Sequence, residues 1–163
     1  MNYEKALAFA TEKHEGQTRI GGDPYITHPI AVAEIIKQKG YGIEYQIAGL
    51  FHDLLEDTDT TEEDILKLGN PDILFAVKLL TKEEGYVMKE YIARIKENDI
   101  AFAVKGADRL HNLRCALVAS DKFKREYIWE SIDWYLDFMP EIPAAVRNLI
   151  DSLETGKEEF PFV

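Results

Sequence analysis

The stretch FHDLLEDTDT, Phe51 to Thr60, sets His52 beside Asp53 and follows them with Glu56, Asp57 and Asp59. On a helix, His52 and Glu56 are one turn apart, as are Asp53 and Asp57, so the two pairs run in adjacent rows toward the same end of the segment. Like charges so placed repel one another, and carboxylates at a helix C-terminus also meet the negative end of the helix dipole. A bound cation relieves both penalties; a solvated acidic helix end is the plainer alternative. Imidazole together with carboxylate suits a divalent transition metal such as manganese, iron or zinc, whereas calcium prefers oxygen alone. Two more side chains can complete such a set. His28 stands just before Pro29, and Asp108 lies in VKGADRLHNLR. Each has an ordinary reading too, His28 as a loop histidine and Asp108 as the partner of Arg109 or Arg114.

The elements that must bring these residues together are helical. Tyr3, Leu7 and Ala10 repeat at helical spacing in a first segment that should end near Gly16. GQTRIGGDPYITHP, rich in glycine and proline, is a loop that delivers His28. A helix from Pro29 to about Lys39 follows, then one from Ile43 into Leu55 that carries His52 and Asp53. Thr60 and Glu63 have capping-box spacing for a short helix before Gly69, and Asn70 with Pro71 starts another. Further helices are expected over 85–97, 99–119, 123–137 and 140–153. In the 99–119 segment Ile100, Ala103, Val104, Ala107, Leu110 and Leu117 form an apolar stripe, with Lys105, Asp108, Arg109 and Asn112 off it. No strand stands out, and the chain reads as all-α.

Composition limits the classes of function. A chain of 163 residues, 46% of them apolar, can bury a core as one domain, 1–163. Cys115 is the single cysteine, which rules out an internal disulfide and fits a reducing cytoplasm. No apolar run approaches the length of a bilayer span, so no membrane partner is expected. The net charge of −11 opposes nucleic-acid binding through a broad basic face. A small phosphorylated ligand needs only a local cation cluster or a metal, because salt screens charges beyond about 8–10 Å.

His28, then the His52-Asp53 pair, then the distant Asp108 match the metal signature of the HD-domain phosphohydrolases. HEGQTRIGGDPYITHP, AGLFHDLLEDTDTTEEDI and VKGADRLHNLR together resemble the hydrolase portion of RelA/SpoT-type alarmone enzymes and their small stand-alone relatives. The likeness covers roughly residues 6 to 118. It implies an HD-domain helical bundle with a single metal site, in which His28, His52, Asp53 and Asp108 hold one divalent ion, usually manganese. Glu56 and Asp57 match the acidic pair that moves protons at the attacking water or the leaving group. Arg19 matches an arginine on the guanine base, and Asn112 an asparagine near the nucleotide.

The implied activity is metal-dependent hydrolysis of a nucleotide, foremost removal of the 3′-pyrophosphate from guanosine-3′,5′-bis(diphosphate), ppGpp. Another nucleotide phosphatase reaction, a non-catalytic nucleotide sensor and a purely structural helical module are the alternatives. The chain departs from the family pattern at Ile20 and Gly21, where many relatives carry a basic residue and serine, and in the aromatic REYIWESIDWY segment. No synthetase region accompanies the motifs, so hydrolysis rather than transfer from ATP is expected. His111 is read as a supporting or core residue, and Trp129, Tyr135 and Phe138 as core.

Overall fold

The computed structural model describes residues 1–161. Its helices are α1 (Tyr3–Lys13), α2 (Thr27–Gln38), α3 (Ile43–Phe51), α4 (Leu54–Asp57), α5 (Glu62–Leu68), α6 (Pro71–Leu80), α7 (Met88–Lys96), α8 (Asp99–Cys115), α9 (Asp121–Trp134) and α10 (Ile142–Asp151). Among the described residues β-structure is limited to one isolated bridge, between Thr18 and Pro24 in the loop before α2. The fold is all-α, as the helical periodicity predicts.

Polar side chains set several helix starts. Asn2, Asn70, Asn98 and Ser120 each accept a hydrogen bond from a backbone N–H in the first turn of α1, α6, α8 and α9. The capping box of α5 falls one residue later than the sequence spacing suggests. Thr61 Oγ1 accepts from Asp64 N at 3.1 Å and Asp64 Oδ2 accepts from Thr61 N at 3.0 Å. Thr60 instead turns inward to pair with Thr58 Oγ1 at 2.7 Å.

Two differences bear on the site. α2 begins two residues before Pro29, because Thr27 N and His28 N already bond to the carbonyls of Pro24 and Tyr25. Proline tolerates the first helical turn, so His28 is a buried helical residue rather than a loop residue. The segment expected to run from Ile43 into Leu55 is broken at His52 and Asp53, where Asp53 has φ −102° and ψ −4°. His52 Nδ1 lies 2.7 Å from the Gly49 carbonyl, so this side chain takes up an acceptor at the end of α3. Glu56 and Asp57 therefore sit on α4, a separate single turn, and Asp59 lies beyond it.

α8 is the central element, packing against α2, α3, α6, α7 and α10. Its stripe of Ile100, Ala103, Val104, Ala107 and Leu110 is buried, whereas Leu117 lies beyond the α-helix and is exposed. α2 and α3 approach closely at Gly49, where a Cβ would meet Ile36 Cδ1 at 3.1 Å and Val32 Cγ1 at 3.3 Å. Of the three aromatic residues expected in the core, Tyr135 and Phe138 are buried. Trp129 is 37% exposed and packs on Phe160, because it lies on the outward side of α9.

Gly106 marks a tighter approach. A Cβ there would stand 2.9 Å from the Phe138 carbonyl oxygen, a backbone atom that cannot rotate away. Gly→Ala inside a helix ordinarily stabilises by about 1 kcal/mol, while overpacking a close contact costs about 1–3 kcal/mol. Gly106→Ala should therefore lower the denaturation midpoint. A variant as stable as the parent would show that α8 and the 135–139 segment can separate freely.

Candidate active site

Three places in the fold converge. α2 supplies His28, the α3–α4 junction supplies His52 and Asp53, and the middle of α8 supplies Asp108. His28 Nε2 is 2.8 Å from Asp108 Oδ1, and His52 Nε2 is 3.4 Å from the same oxygen. Asp53 Oδ2 lies 3.0 Å from His52 Nε2 and 4.0 Å from His28 Nε2. His28, His52 and Asp108 each offer a donor atom within 4.8 Å of the others, and Asp53, Glu56 and Asp57 form a second such group. Asp53 joins the two groups through His52.

The donor set fits a divalent cation. With Nδ1 engaged by the Gly49 carbonyl, His52 Nε2 is buried and has no aligned hydrogen-bond partner, although two carboxylate oxygens stand close by. His28 is oriented similarly, with Nδ1 2.8 Å from His111 Nδ1 and Nε2 facing Asp108. In both rings the nitrogen away from the cluster is held by a neighbour while Nε2 points inward, an arrangement that prepares a ring to ligate. The cluster of His28, His52 and Asp108 could hold a metal ion.

Charge balance within the cluster is tight. Burial would lower the His52 pKa, but Asp53 and Asp108 outweigh it and hold the imidazole well above its usual range. Burial prevails at His28, whose pKa is lowered. Burial would likewise raise Asp108, yet Lys105, His28 and His52 keep it well below the ordinary carboxylate range. Asp53, opposed by burial and held by His52, sits at about 2. Asp57 goes the other way: burial, then the charges of Asp53 and Glu56, raise its pKa. His111 is pushed down to about 4 by burial and by the neighbouring His28 and Arg19, so it faces His28 as a neutral ring.

A cavity of about 180 Å³ opens onto this cluster, lined by His28, His52, Asp53, Glu56, Asp57 and Asp108 together with Tyr25, Lys82, Tyr91, Lys105 and Asn112. Glu56 Oε1 accepts the Lys82 backbone N–H at 2.7 Å, which fixes one side of its carboxylate. Asp59, the remaining acid of the FHDLLEDTDT stretch, turns away to pair with Lys13 at 2.9 Å. A second cavity, about 240 Å³, adjoins the first and shares Tyr25 and Asn112 with it; Arg19, Ile20, Cys115, Ala116, Phe123 and Tyr127 complete its lining. Arg19 Nη2 donates to Asn112 Oδ1 at 2.9 Å, and Asn112 Nδ2 donates to Asp108 Oδ1 at 3.0 Å. One chain of hydrogen bonds thus runs from the second cavity to the acidic cluster.

Several lining residues do not stand out in the sequence. The Tyr25 hydroxyl donates to Asp53 Oδ2, and its ring forms part of both cavities. Lys105 Nζ, 3.2 Å from Asp108 Oδ2, is the cation paired with that carboxylate. The arginines do not fill this role. Arg109 instead pairs with Glu130, with its guanidinium over the rings of Tyr127 and Tyr135. A signal for Lys105 does exist, since Lys and Asp three residues apart on a helix are neighbours. His111, outside the expected site, is half-buried and stacked on His28 with ring centroids 5.1 Å apart.

The helical architecture and the meeting of His28, the His52-Asp53 pair and Asp108 define a class, and residues 6–84 match the family model described as HD domain. That match lies over the segment carrying His28, His52, Asp53, Glu56 and Asp57. Among curated proteins it is 31% identical, over 169 aligned positions, to the bifunctional (p)ppGpp synthase/hydrolase SpoT of Escherichia coli (strain K12), an alignment covering 97% of this chain and 23% of that protein. It is also 31% identical over 167 positions to the guanosine-3′,5′-bis(diphosphate) 3′-pyrophosphohydrolase of Aquifex aeolicus, covering 98% of this chain and 23% of that one. The chain thus spans under a quarter of the length of these relatives. A solved structure described as "A metazoan ortholog of SpoT hydrolyzes ppGpp and plays a role in starvation responses" superposes with a TM-score of 0.59 at 26% identity, covering 93% of this chain and 84% of that one.

Proposed function

We propose that this protein is a metal-dependent phosphohydrolase that removes the 3′-pyrophosphate from ppGpp, acting as a single domain over residues 1–163 in the cytoplasm. The observation that carries the reading is the adjacency of the two cavities. One gathers imidazoles, carboxylates and two lysines; the other offers Phe123, Tyr127 and Arg19; Tyr25 and Asn112 stand between them. A phosphorylated nucleotide has the same two-part character, a charged phosphoryl end and a flat base. The similarity to ppGpp hydrolases supports the guanosine assignment.

In this reading His28, His52, Asp53 and Asp108 hold one divalent ion, with manganese the expected metal. When bound, such an ion supplies charge neutralisation at the phosphoryl oxygens and acidifies water near neutral pH. Asp57, whose carboxyl pKa is raised, can hold a proton beside the reacting group. Glu56, oriented by the Lys82 N–H, is the second carboxylate within reach of the cavity. Asn112 ties the nucleoside side to Asp108, and Arg19 presents its guanidinium at the base. Water enters and GDP and pyrophosphate leave.

Steady-state turnover by the manganese-loaded protein against a panel of ppGpp, its pentaphosphate form, GTP and non-guanosine nucleotides tests the assignment. The expected result is GDP and pyrophosphate from ppGpp at the highest kcat/KM. Faster turnover of a different nucleotide would make this another nucleotide phosphatase, and tight binding without turnover a sensor. In the same assay Arg19→Ala should raise KM by roughly tenfold or more, the scale of a lost hydrogen bond to a charged group, with a smaller change in kcat. An unchanged KM would remove Arg19 from the nucleotide site.

A further inference from the structure

The catalytic cavity contains a cation whose hydrogen-bonding capacity is only partly used. Lys105 Nζ lies 3.2 Å from Asp108 Oδ2, and just 12% of its side chain is exposed. The ammonium has three N–H donors. Beyond Asp108, its neighbours are the faces of Tyr91 and Tyr135, whose ring centroids are 5.7 and 5.6 Å away. Aromatic faces stabilise the charge without supplying an oxygen acceptor.

Lys105 also settles which oxygen of Asp108 faces the imidazoles. Oδ2 is held by the ammonium, while Oδ1 receives Asn112 Nδ2 at 3.0 Å and faces His28 Nε2 at 2.8 Å. The lysine therefore stands on the far side of Asp108 from the His pair and still lines the cavity. An anion entering there would meet a fixed, largely desolvated positive charge with donors to spare. Charge-assisted hydrogen bonds in such surroundings are among the strong ones.

We propose that Lys105 is a substrate-contacting residue, holding Asp108 Oδ2 with one N–H and donating another to a non-bridging oxygen of the phosphoryl group under attack. The proposal rests on the phosphohydrolase reading above and adds to it a residue that offsets negative charge on the phosphoryl oxygens. Were Lys105 only a counter-charge for Asp108, a divalent ion could take over that task and Lys105 would have no effect on anion binding once metal is saturating.

The test is calorimetric binding of inorganic pyrophosphate to the full chain at saturating manganese, with metal content measured alongside, for the parent, Lys105→Met and Lys105→Arg. Lys105→Met should retain metal and lose about tenfold or more in pyrophosphate affinity, equivalent to about 1.4 kcal/mol. Lys105→Arg should recover part of that loss. If the methionine variant fails to fold, Lys105→Gln, which keeps a donor for Asp108 without the charge, carries the same comparison. Parental pyrophosphate affinity in a metal-loaded, uncharged variant overturns the proposal. A parent that binds pyrophosphate yet hydrolyses no ppGpp would defeat the substrate assignment while leaving the Lys105 comparison intact; a parent that binds no pyrophosphate would defeat the Lys105 proposal itself.

Discussion

Replacing Glu56 by Gln and Asp57 by Asn in one protein should leave metal content and nucleotide affinity near parental values and reduce hydrolysis by roughly 100-fold or more, the scale for loss of a positioned general acid or base. Both side chains line the cavity but stand apart from the His28, His52 and Asp108 group. The amides keep size and much of the hydrogen-bonding capacity, so Glu56→Gln can still accept the Lys82 N–H. What disappears is the ability to exchange a proton. Asp57 is the more telling of the two, because burial and its acidic neighbours already raise its pKa. Single variants, assayed across pH, should place the larger effect on whichever residue carries the proton. Parental turnover in the double variant would reduce both to a solvated acidic turn.

The second large effect concerns the cluster. His52→Ala and Asp108→Asn should each lose most of the bound divalent metal, from about one ion per chain, and with it hydrolysis. His52 removes the nitrogen that is buried without an aligned partner. Asp108→Asn removes the charge that His28, His52 and Lys105 all face, and leaves an amide that can donate toward rings already crowded with protons. Elemental analysis of the dialysed proteins measures the loss. Full occupancy in both variants would contradict the assignment of the cluster as the metal site.

Much of this arrangement is legible in the sequence because the relevant signals are local. Asn70-Pro71, the apolar stripe of α8 and the 3.6-residue repeat of α1 each report on their own segment. What lies between segments is harder to read. His28 and Asp108 are eighty positions apart and meet at 2.8 Å, and no local pattern encodes that distance; the resemblance of three motifs in order suggested it. The break at His52-Asp53 escaped periodicity because it involves a side-chain contact with the Gly49 carbonyl rather than a proline or glycine. Trp129 illustrates the converse limit. Its aromatic character suggests burial, but its position on the outer side of α9 is decided by how that helix docks. Lys105 and Tyr25 matter through the carboxylates they touch, so their roles emerge only when the cluster has been assembled.

In the proposed function, one divalent ion held by this cluster makes the protein a ppGpp hydrolase. Protein stripped of metal by a chelator, dialysed and then titrated with manganese while GDP and pyrophosphate are quantified tests it most directly. Turnover should be close to absent in the stripped protein and rise in proportion to bound metal, reaching its plateau at about one ion per chain. Undiminished turnover in metal-free protein, or no turnover with the site filled, would contradict the account.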